Sequence, residues 1–504
     1  MDPYIERILR AQIYDLVRET PLQHAPQLSV RTGQDVWIKR EDLQPVHSFK
    51  IRGAYNRIAK LSTDERKRGV ITASAGNHAQ GVAMAAAHLQ LQATIFMPET
   101  TPSIKVQAVK ALGGEIQLIG DDFDTAREAA ALACHERGAT YIPPFDDPDV
   151  IAGQGTVAME IFRQHRGPID AIFVPVGGGG LLAGVATYTK FISPQTKIIA
   201  VEPQDAASLH AALVAGQRIT LPRVGLFADG VAVRQVGAEP FAVLQDKVDG
   251  TLTVGTDEIC AAIKDIFEDN RSLAEPSGAL SVAGIKRYAE LHPEFHGQRW
   301  VAIESGANMG FDRLRHVAER AELGERREVL MAVTIPEQRG SFLAFCQQLG
   351  RLPITEFNYR MAKDEKAHIF VGVAIPEGQQ RHRELHAHLQ QVGYPVADLT
   401  HDEMAKLHLR FMVGGRVAGD LSERLYAFEF PERPGALLDF LTRLGQSWNI
   451  TLFHYRNHGA AFGRVLVGIE ASAAEEPALR QALSAVGYDF MDESANPAYQ
   501  LFLR

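Results

Sequence analysis

The chain contains 504 residues, which corresponds to about three domains of roughly 100–200 residues each. Lys and Arg number 52 against 61 Asp and Glu, so the net charge of −9 gives no electrostatic reason to expect binding to nucleic acid or to an anionic membrane. With 46% hydrophobic and 22% charged residues, the composition is that of a folded globular protein and not of a disordered one.

Three features indicate where the protein works. Its three cysteines lie far apart, which predicts a reducing compartment without a disulfide framework or a structural zinc site. The first residues, MDPYIERILR, lack the basic and apolar regions of a secretory signal. The uncharged stretch 171–189 could suggest a membrane span, but Pro175 and four consecutive glycines make a continuous helix the poorer interpretation. We therefore predict a cytoplasmic protein.

Residues 36–315 alternate short β-rich runs with Ala-rich helical stretches. The β-rich runs are VWIKR, GVITAS, ATIFMP, EIQLIG, AIFVPVG, KIIAVEP and RWVAIES. This alternation predicts an α/β fold with a doubly wound, mostly parallel sheet. In such folds ligands bind at the carboxyl ends of the strands, so the chemistry is expected directly after these runs.

The C-terminal third begins after a charged helical stretch, DRLRHVAERAELGERRE, and contains an internal repeat. VTIPEQRGSFLAFCQQLG, from Val333, reappears as FEFPERPGALLDFLTRLG, from Phe428. Each copy predicts strand, helix, strand, strand, helix and strand, the βαββαβ order of a ferredoxin-like module. The predicted parts are a first domain 1–320, a helical linker 321–327, a module 328–400, a connector 401–422 and a second module 423–504.

One pattern suits an anionic ligand. Gly177, Gly178, Gly179 and Gly180 follow a strand and precede a predicted helix, so their N–H groups can approach a phosphate closely. The spacing matches neither the dinucleotide nor the nucleotide-triphosphate loop, and a simple tight turn is the alternative interpretation. Taken alone, Lys50 would be an ordinary surface charge.

Four segments occur in a fixed order, and together they are highly specific. They are PVHSFKIRGAYN (45–56), SAGNHAQG (74–81), PVGGGGL (175–181) and ESGANMG (304–310). This set resembles the fold-type II pyridoxal-phosphate enzymes of the tryptophan-synthase β family, and within it the biosynthetic threonine dehydratases. The repeated C-terminal third is similar to their paired ACT-like regulatory domains.

The resemblance implies a pyridoxal-phosphate-dependent lyase that converts L-threonine, and also L-serine, into 2-oxobutanoate or pyruvate and ammonia, as the first step of isoleucine biosynthesis. Lys50 and Ser305 are the implied catalytic residues. Lys50 would hold the cofactor and then take the Cα proton, while Ser305 would face the pyridine nitrogen. Asn77 would hydrogen-bond the ring oxygen.

The resemblance also implies two sets of contact residues. The cofactor would contact Phe49, Lys50, Asn77, Gly177, Gly178, Gly179, Gly180, Leu181 and Ser305. The substrate would contact Ser74, Ala75, Gly76, Asn77 and His78. Several of these have ordinary alternatives, since Ser74 suits a helix N-cap, Phe49 a core position and Ser305 a buried hydroxyl. Glu275, in AEPSGA, is expected near the active site without an assigned role.

Regulation is implied at the repeat. Tyr359 and Tyr455 occupy equivalent places in FNYR and FHYR, where the resemblance implies sites for isoleucine as inhibitor or valine as activator, and packing of strand aromatics is the alternative. A homotetramer is also implied. We predict no metal site, because the helical histidines at 382 and 386 suit a solvated helix face better.

Two other functions remain open at this point. A sibling enzyme of β-elimination or β-replacement, such as serine racemase, cysteine synthase or threonine synthase, would share the first half but not the doubled C-terminal module. A non-catalytic amino-acid sensor would retain the modules, although Lys50, the glycine run and Ser305 argue against it.

Overall fold

The computed structural model describes residues 2–325, 327–336, 345, 348–349, 354–359, 366–375, 379–409, 422–431, 443–444, 448–456 and 462–503. The chain forms two compact units, Met1–Ala321 and Glu322–Arg504. Among the described residues, no helix is both long and apolar enough to cross a membrane.

The first unit is an α/β structure. Its strands are β1 (Leu22–His24), β2 (Asp35–Arg40), β3 (Val70–Ala73), β4 (Ala93–Met97), β5 (Glu115–Leu118), β6 (Thr140–Tyr141), β7 (Ala171–Pro175), β8 (Lys197–Pro203), β9 (Gly250–Val254) and β10 (Arg299–Glu304). Its helices are α1 (Pro3–Leu9), α2 (Pro26–Thr32), α3 (Lys50–Ala59), α4 (Thr63–Arg68), α5 (Asn77–His88), α6 (Ser103–Ala111), α7 (Phe123–Arg137), α8 (Pro148–Gln164), α9 (Gly180–Ile192), α10 (Ser208–Ala215), α11 (Ala238–Leu244), α12 (Thr256–Asn270) and α13 (Pro276–Leu291). A further helix, α14 (Arg313–Gly324), begins in the first unit and ends in the second.

The strands of this unit form two sheets. One has the order β1-β2-β10-β7-β8-β9, in which only β1 pairs antiparallel, and the other has the parallel order β5-β4-β3-β6. Every residue of β4 and β7 is buried, as expected for parallel strands that helices cover on both faces. The alternating pattern predicts the α/β class but cannot tell that the strands divide into two sheets, because it carries no information on strand pairing.

Close helix packing positions the loop that precedes α9. Helices α8 and α9 approach so closely that a Cβ added at Gly184 would lie 2.5 Å from the backbone nitrogen of Gly155 and the carbonyl oxygen of Ile151. Because α9 begins at Gly180, this contact also fixes where the glycine run ends. A larger side chain at Gly184 would separate the helices or displace that loop.

A buried charge cluster anchors helix α3. The Arg52 guanidinium donates two hydrogen bonds to Glu41 at 2.7 Å and two to Glu160 at 2.6 and 2.9 Å. Lys39 Nζ donates to Glu160 at 2.6 Å, and all four side chains are fully buried. Two positive and two negative groups thus balance each other without solvent, and they hold the helix that starts at Lys50.

The second unit contains two modules of the same topology. The first has β11 (Glu328–Pro336), β12 (Ile354–Tyr359), β13 (Lys366–Ala374), β14 (Val396–Asp398), α15 (Gln379–Gln391) and α16 (Glu403–Leu407). The second has β15 (Glu423–Pro431), β16 (Asn449–Arg456), β17 (Phe462–Glu470), β18 (Phe490–Asp492), α17 (Glu476–Val486) and α18 (Pro497–Phe502).

The strand orders are β12-β13-β11-β14 and β16-β17-β15-β18, with every pair antiparallel. This is the order that a βαββαβ chain adopts in a ferredoxin-like module. The predicted first helix of each module falls mostly outside the described residues. An apolar cluster that includes Leu330, Phe370, Leu466 and Tyr499 joins the two modules.

Candidate active site

Lys50 lies at the first position of α3, next to the segment that follows β10. Ser48 forms an isolated antiparallel bridge with Gly306, and the Phe49 N–H donates to the Ser305 carbonyl at 3.1 Å. The buried charge cluster holds the same helix through Arg52, two residues further on. The lysine is therefore fixed on both sides, as a covalent attachment point requires.

The amine of Lys50 is only partly exposed. Its Nζ donates to the Pro144 carbonyl at 3.0 Å and lies 5.3 Å from the centroid of the Phe49 ring. Burial lowers the pKa of Lys50 to about 8, although the negative charge of Glu275 acts in the opposite direction. The neutral form, which a nucleophile or base needs, is consequently much more populated near neutral pH than in an ordinary lysine, although the charged form still predominates at pH 7.

The glycine run joins β7 to α9, as the sequence predicts. Gly179 has φ +91°, in the left-handed region that favours glycine, and a Cβ at Gly178 would lie 2.2 Å from the Phe145 ring. Within the described part of the chain, no residue accepts a hydrogen bond from the N–H groups of residues 177–181. A phosphate group fits this set of unsatisfied donors at a helix N-terminus.

The segment around Pro144 connects Lys50 to the glycine run. Pro144 accepts the hydrogen bond from Lys50 Nζ, while the ring of its neighbour Phe145 packs against Gly178 and Gly180. The amine and the phosphate-sized set of donors therefore belong to one site. Nothing in the local sequence around Pro144 and Phe145 indicates this, so both residues were missed.

Residues 74–78 follow β3 and open helix α5. Gly76 is the N-cap, and its N–H donates to Ser74 Oγ at 3.3 Å. The N–H groups of Ala75, Asn77 and His78 have no acceptor among the described residues, so they can bind a carboxylate. Burial lowers the pKa of His78 to about 3, and its Nε2 lies 2.9 Å from the Ile142 carbonyl. The neutral His78 ring thus links this loop to the backbone at Ile142.

Asn77 and Ser305 meet through a polar network. Asn77 Nδ2 donates to Glu275 Oε1 at 2.5 Å, and Asn77 Oδ1 accepts from Asn308 Nδ2 at 2.7 Å. Ser277 Oγ also donates to Glu275 Oε1, at 2.8 Å, and the buried Ser305 Oγ donates to the Ser277 carbonyl at 3.4 Å. Asn308 lies within the quoted motif ESGANMG, but its contact with Asn77 was not predicted.

Together these residues fit pyridoxal phosphate. A partly neutral lysine suits its aldehyde, the unsatisfied N–H groups of the glycine run suit its phosphate, and Asn77 and Ser305 offer polar groups for its ring. In the part of the chain that the structure describes, no group of three or more His, Cys, Asp or Glu residues could hold a metal ion.

Family models match both units of the chain. The model described as "Pyridoxal-phosphate dependent enzyme" matches residues 13–306, and the model of the "C-terminal regulatory domain of Threonine dehydratase" matches residues 319–409 and again 414–503. The biosynthetic L-threonine dehydratase of Burkholderia multivorans is 54% identical over 503 residues, 99% of either chain. The chain belongs to the threonine dehydratase family. The mitochondrial threonine dehydratase of Saccharomyces cerevisiae is 51% identical, over 99% of this chain and 89% of that protein.

Solved structures resemble part of the chain. The processed form of threonine deaminase isoform 2 from Solanum lycopersicum covers 63% of this chain and 92% of its own, with 52% identity and a TM-score of 0.62. Maize serine racemase covers 62% of this chain and 96% of its own, with 34% identity and a TM-score of 0.59. The predictions of a threonine dehydratase family member, an α/β fold with ACT-like modules and dependence on pyridoxal phosphate are confirmed.

The predicted effector residues lie in the second unit. Tyr359 pairs with Ile369 at the end of β12, and Tyr455 pairs with Val465 in β16, so both belong to the edge strand of their sheet. Their side chains fall outside the described part of the structure. Their role in effector binding therefore stays a prediction.

Proposed function

We propose that this threonine dehydratase family member converts L-threonine, and more slowly L-serine, into the 2-oxo acid and ammonia in the cytoplasm. The observation that carries the proposal is the joining of a partly neutral Lys50 to a set of unsatisfied N–H groups through Pro144 and Phe145. Nearly full-length relatives that are named as threonine dehydratases support the choice of substrate.

The chain's own residues would then act as follows. The glycine run and Leu181 hold the cofactor phosphate, Phe49 packs beside Lys50, and Asn77 and Ser305 contact the ring. When bound, pyridoxal phosphate supplies the electron sink that stabilises negative charge at the substrate Cα. A neutral hydroxyl at Ser305 leaves the ring nitrogen largely unprotonated, which suits elimination better than transamination.

Lys50 and the loop 74–78 would handle the substrate. The free N–H groups of Ala75, Asn77 and His78, with the hydroxyl of Ser74, hold the carboxylate and fix the amino acid with its Cα proton towards Lys50. Lys50 Nζ takes that proton as a general base. The β-hydroxyl takes up one proton, which balances the one that Lys50 removes from Cα, and leaves as water; addition of water to the dehydrated product and loss of ammonia then yield the 2-oxo acid.

We assign regulation to the duplicated modules. The proposed parts are a catalytic domain 1–320, a linker 321–327, modules 328–400 and 423–504, and a connector 401–422. Isoleucine, as the end product, would inhibit through sites that include Tyr359 or Tyr455, valine would activate, and the chain would act as a homotetramer. The matched regulatory-domain model and the shared ferredoxin-like topology support control by small-molecule effectors.

The deciding assay measures 2-oxobutanoate produced from L-threonine by purified protein with pyridoxal phosphate, with and without L-isoleucine. Turnover that isoleucine suppresses supports both the catalytic and the regulatory assignments. Turnover without suppression removes isoleucine as effector. Bound cofactor without turnover would favour a sibling enzyme with another substrate.

Lys50→Ala is expected to abolish both turnover and the absorbance of covalently bound cofactor, because no other amine occupies its place against Pro144. Lys60→Gln, at the far end of α3, removes a partly exposed lysine and serves as the matched control that retains both. Residual turnover by Lys50→Ala above the background of the control preparation would contradict the assignment.

A further inference from the structure

Glu275 is a buried carboxylate that the steps above do not use. It lies directly before α13, is 5% exposed, and its own N–H donates to the Gly306 carbonyl at 3.1 Å. A Cβ added at Gly306 would lie 2.7 Å from Glu275 Oε1, so the carboxylate is packed against the backbone beside Ser305. Such a group is costly to bury and needs hydrogen-bond donors.

Its main donor is the residue assigned to the cofactor ring. An amide NH₂ group has two hydrogens, and Asn77 Nδ2 gives one of them to Glu275 Oε1 at 2.5 Å. On the other side, Asn308 Nδ2 donates both to the Val46 carbonyl and to Asn77 Oδ1, each at 2.7 Å. Among the residues that the structure describes, these contacts leave one N–H of the Asn77 side chain without an acceptor.

We propose that Glu275 is a positioning residue: it fixes the amide of Asn77 so that the uncommitted N–H is held as a donor to the ring oxygen of bound pyridoxal phosphate. The proposal rests on the role of Asn77 in the proposed function. An acceptor at this place excludes the opposite amide orientation, in which Asn77 would offer its carbonyl oxygen to Glu275.

The charges around Glu275 must be considered in any pH experiment. Lys50 on α3 and Asp229 both act on it electrostatically, and Lys105 on α6 donates to Asp229 at 2.5 Å. Ser277 and Asn77 supply its direct hydrogen bonds. A variant that removes only the charge therefore has to be compared with one that removes the acceptor.

The test is a pH titration of the absorbance of bound cofactor in the holoenzyme, with Asn77→Ala, Glu275→Ala and the double variant. A hydrogen bond donated to the ring oxygen favours its deprotonated form, so its loss in Asn77→Ala should raise the midpoint by about one pH unit. Glu275→Ala should shift the midpoint in the same direction by a large part of that amount. The double variant should shift no further than Asn77→Ala, since both changes remove one interaction.

Glu275→Gln separates positioning from charge. Its amide oxygen still accepts from Asn77, so the titration should remain close to that of the unchanged protein. This variant also decides the matter if Glu275→Ala fails to fold. Glu202→Gln is the matched control, because Glu202 is another fully buried carboxylate of the first unit that accepts two N–H bonds at 2.8 Å.

The outcomes are distinguishable. Additive shifts in the double variant, an unchanged titration in Glu275→Ala, or a Glu275→Gln titration that matches Glu275→Ala would overturn the positioning role. An unchanged titration in Asn77→Ala would instead remove Asn77 from the ring oxygen, and with it the premise taken from the proposed function.

Discussion

Lys50 illustrates how a single residue acquires its chemistry from its surroundings. Its pKa falls from 10.5 to about 8 because burial disfavours the charged form, and the negative charge of Glu275 limits that fall. The same surroundings provide the Pro144 carbonyl as hydrogen-bond acceptor. The charged amine is therefore stabilised by Glu275 and the Pro144 carbonyl, while burial favours the neutral form that reacts.

The rate at which apoenzyme takes up pyridoxal phosphate should depend on pH through this amine. The neutral form attacks, so below the pKa of about 8 the rate should rise about tenfold per pH unit, and above it the rate should level off. Stopped-flow absorbance after mixing apoenzyme with cofactor measures this rate. A rate that still rises tenfold per unit beyond about pH 9, as for an ordinary lysine, would contradict the lowered pKa. Lys60→Gln should reproduce the unchanged profile.

At this scale the sequence indicates attachment and anion-binding residues but not their partners. The glycine run can be interpreted from its own residues, whereas the roles of Lys50 and Asn77 follow from the resemblance of their motifs to a known family. Their partners lie 94 residues away at Pro144 for Lys50, and 198 and 231 residues away at Glu275 and Asn308 for Asn77. Such contacts depend on how distant segments pack, which no local pattern encodes.

Among the elements, the turn between β7 and α9 combines two requirements. Its N–H groups have to remain free for an anion, and its chain has to pass the Phe145 ring closely. Only residues without a side chain meet both requirements at Gly178. The close approach of α8 and α9 at Gly184 holds the end of this turn in place.

Gly178→Ala should weaken cofactor binding by about tenfold or more, because the added Cβ would lie 2.2 Å from the Phe145 ring and overpacking of this kind costs about 1–3 kcal/mol. Titration of apoenzyme with pyridoxal phosphate, followed by fluorescence, gives the dissociation constant. Gly310→Ala is the control, since a Cβ there meets nothing within 4 Å. Equal affinities for both variants would show that the turn can yield without loss.

Strand positions were well predicted where the run was apolar and bounded by turns. KIIAVEP forms β8 over Lys197–Pro203, and ATIFMP contains β4 over Ala93–Met97. The short strands β1 and β6 were not predicted, because two or three residues carry no readable period. Pairing with β2 and β3 makes them strands, and that pairing is a tertiary effect.

At the scale of the whole molecule, a duplicated module accompanies one catalytic unit. The repeat FNYR and FHYR puts Tyr359 and Tyr455 in the edge strands of two sheets with the same strand order. The duplication was predictable because both copies retain the same sequence landmarks.

Tyr359→Ala and Tyr455→Ala should leave turnover without effector within about twofold of the unchanged protein while shifting the isoleucine inhibition curve, because regulation is a coupling between separate sites. Initial rates over a range of isoleucine concentrations test this. Tyr394 and Tyr488 occupy equivalent places in VGYPVAD and VGYDFMD, and each packs against the core of its own module. Tyr394→Ala and Tyr488→Ala therefore serve as controls for a general loss of packing. Unchanged inhibition in both test variants would place the effector site elsewhere in the modules.

The buried cluster of Lys39, Glu41, Arg52 and Glu160 has a consequence for the effect of salt. Dissolved ions screen charges that face water, but they do not enter a site in which all four side chains are fully buried. The contribution of this cluster to holding α3, the helix that carries Lys50, should thus be the same in dilute buffer and in concentrated potassium chloride. The exposed ion pairs of the first unit, such as Arg163 with Glu19, would lose their contribution under those conditions. The position of Lys50, to which the cofactor would attach, should therefore not depend on the ionic strength of the solution.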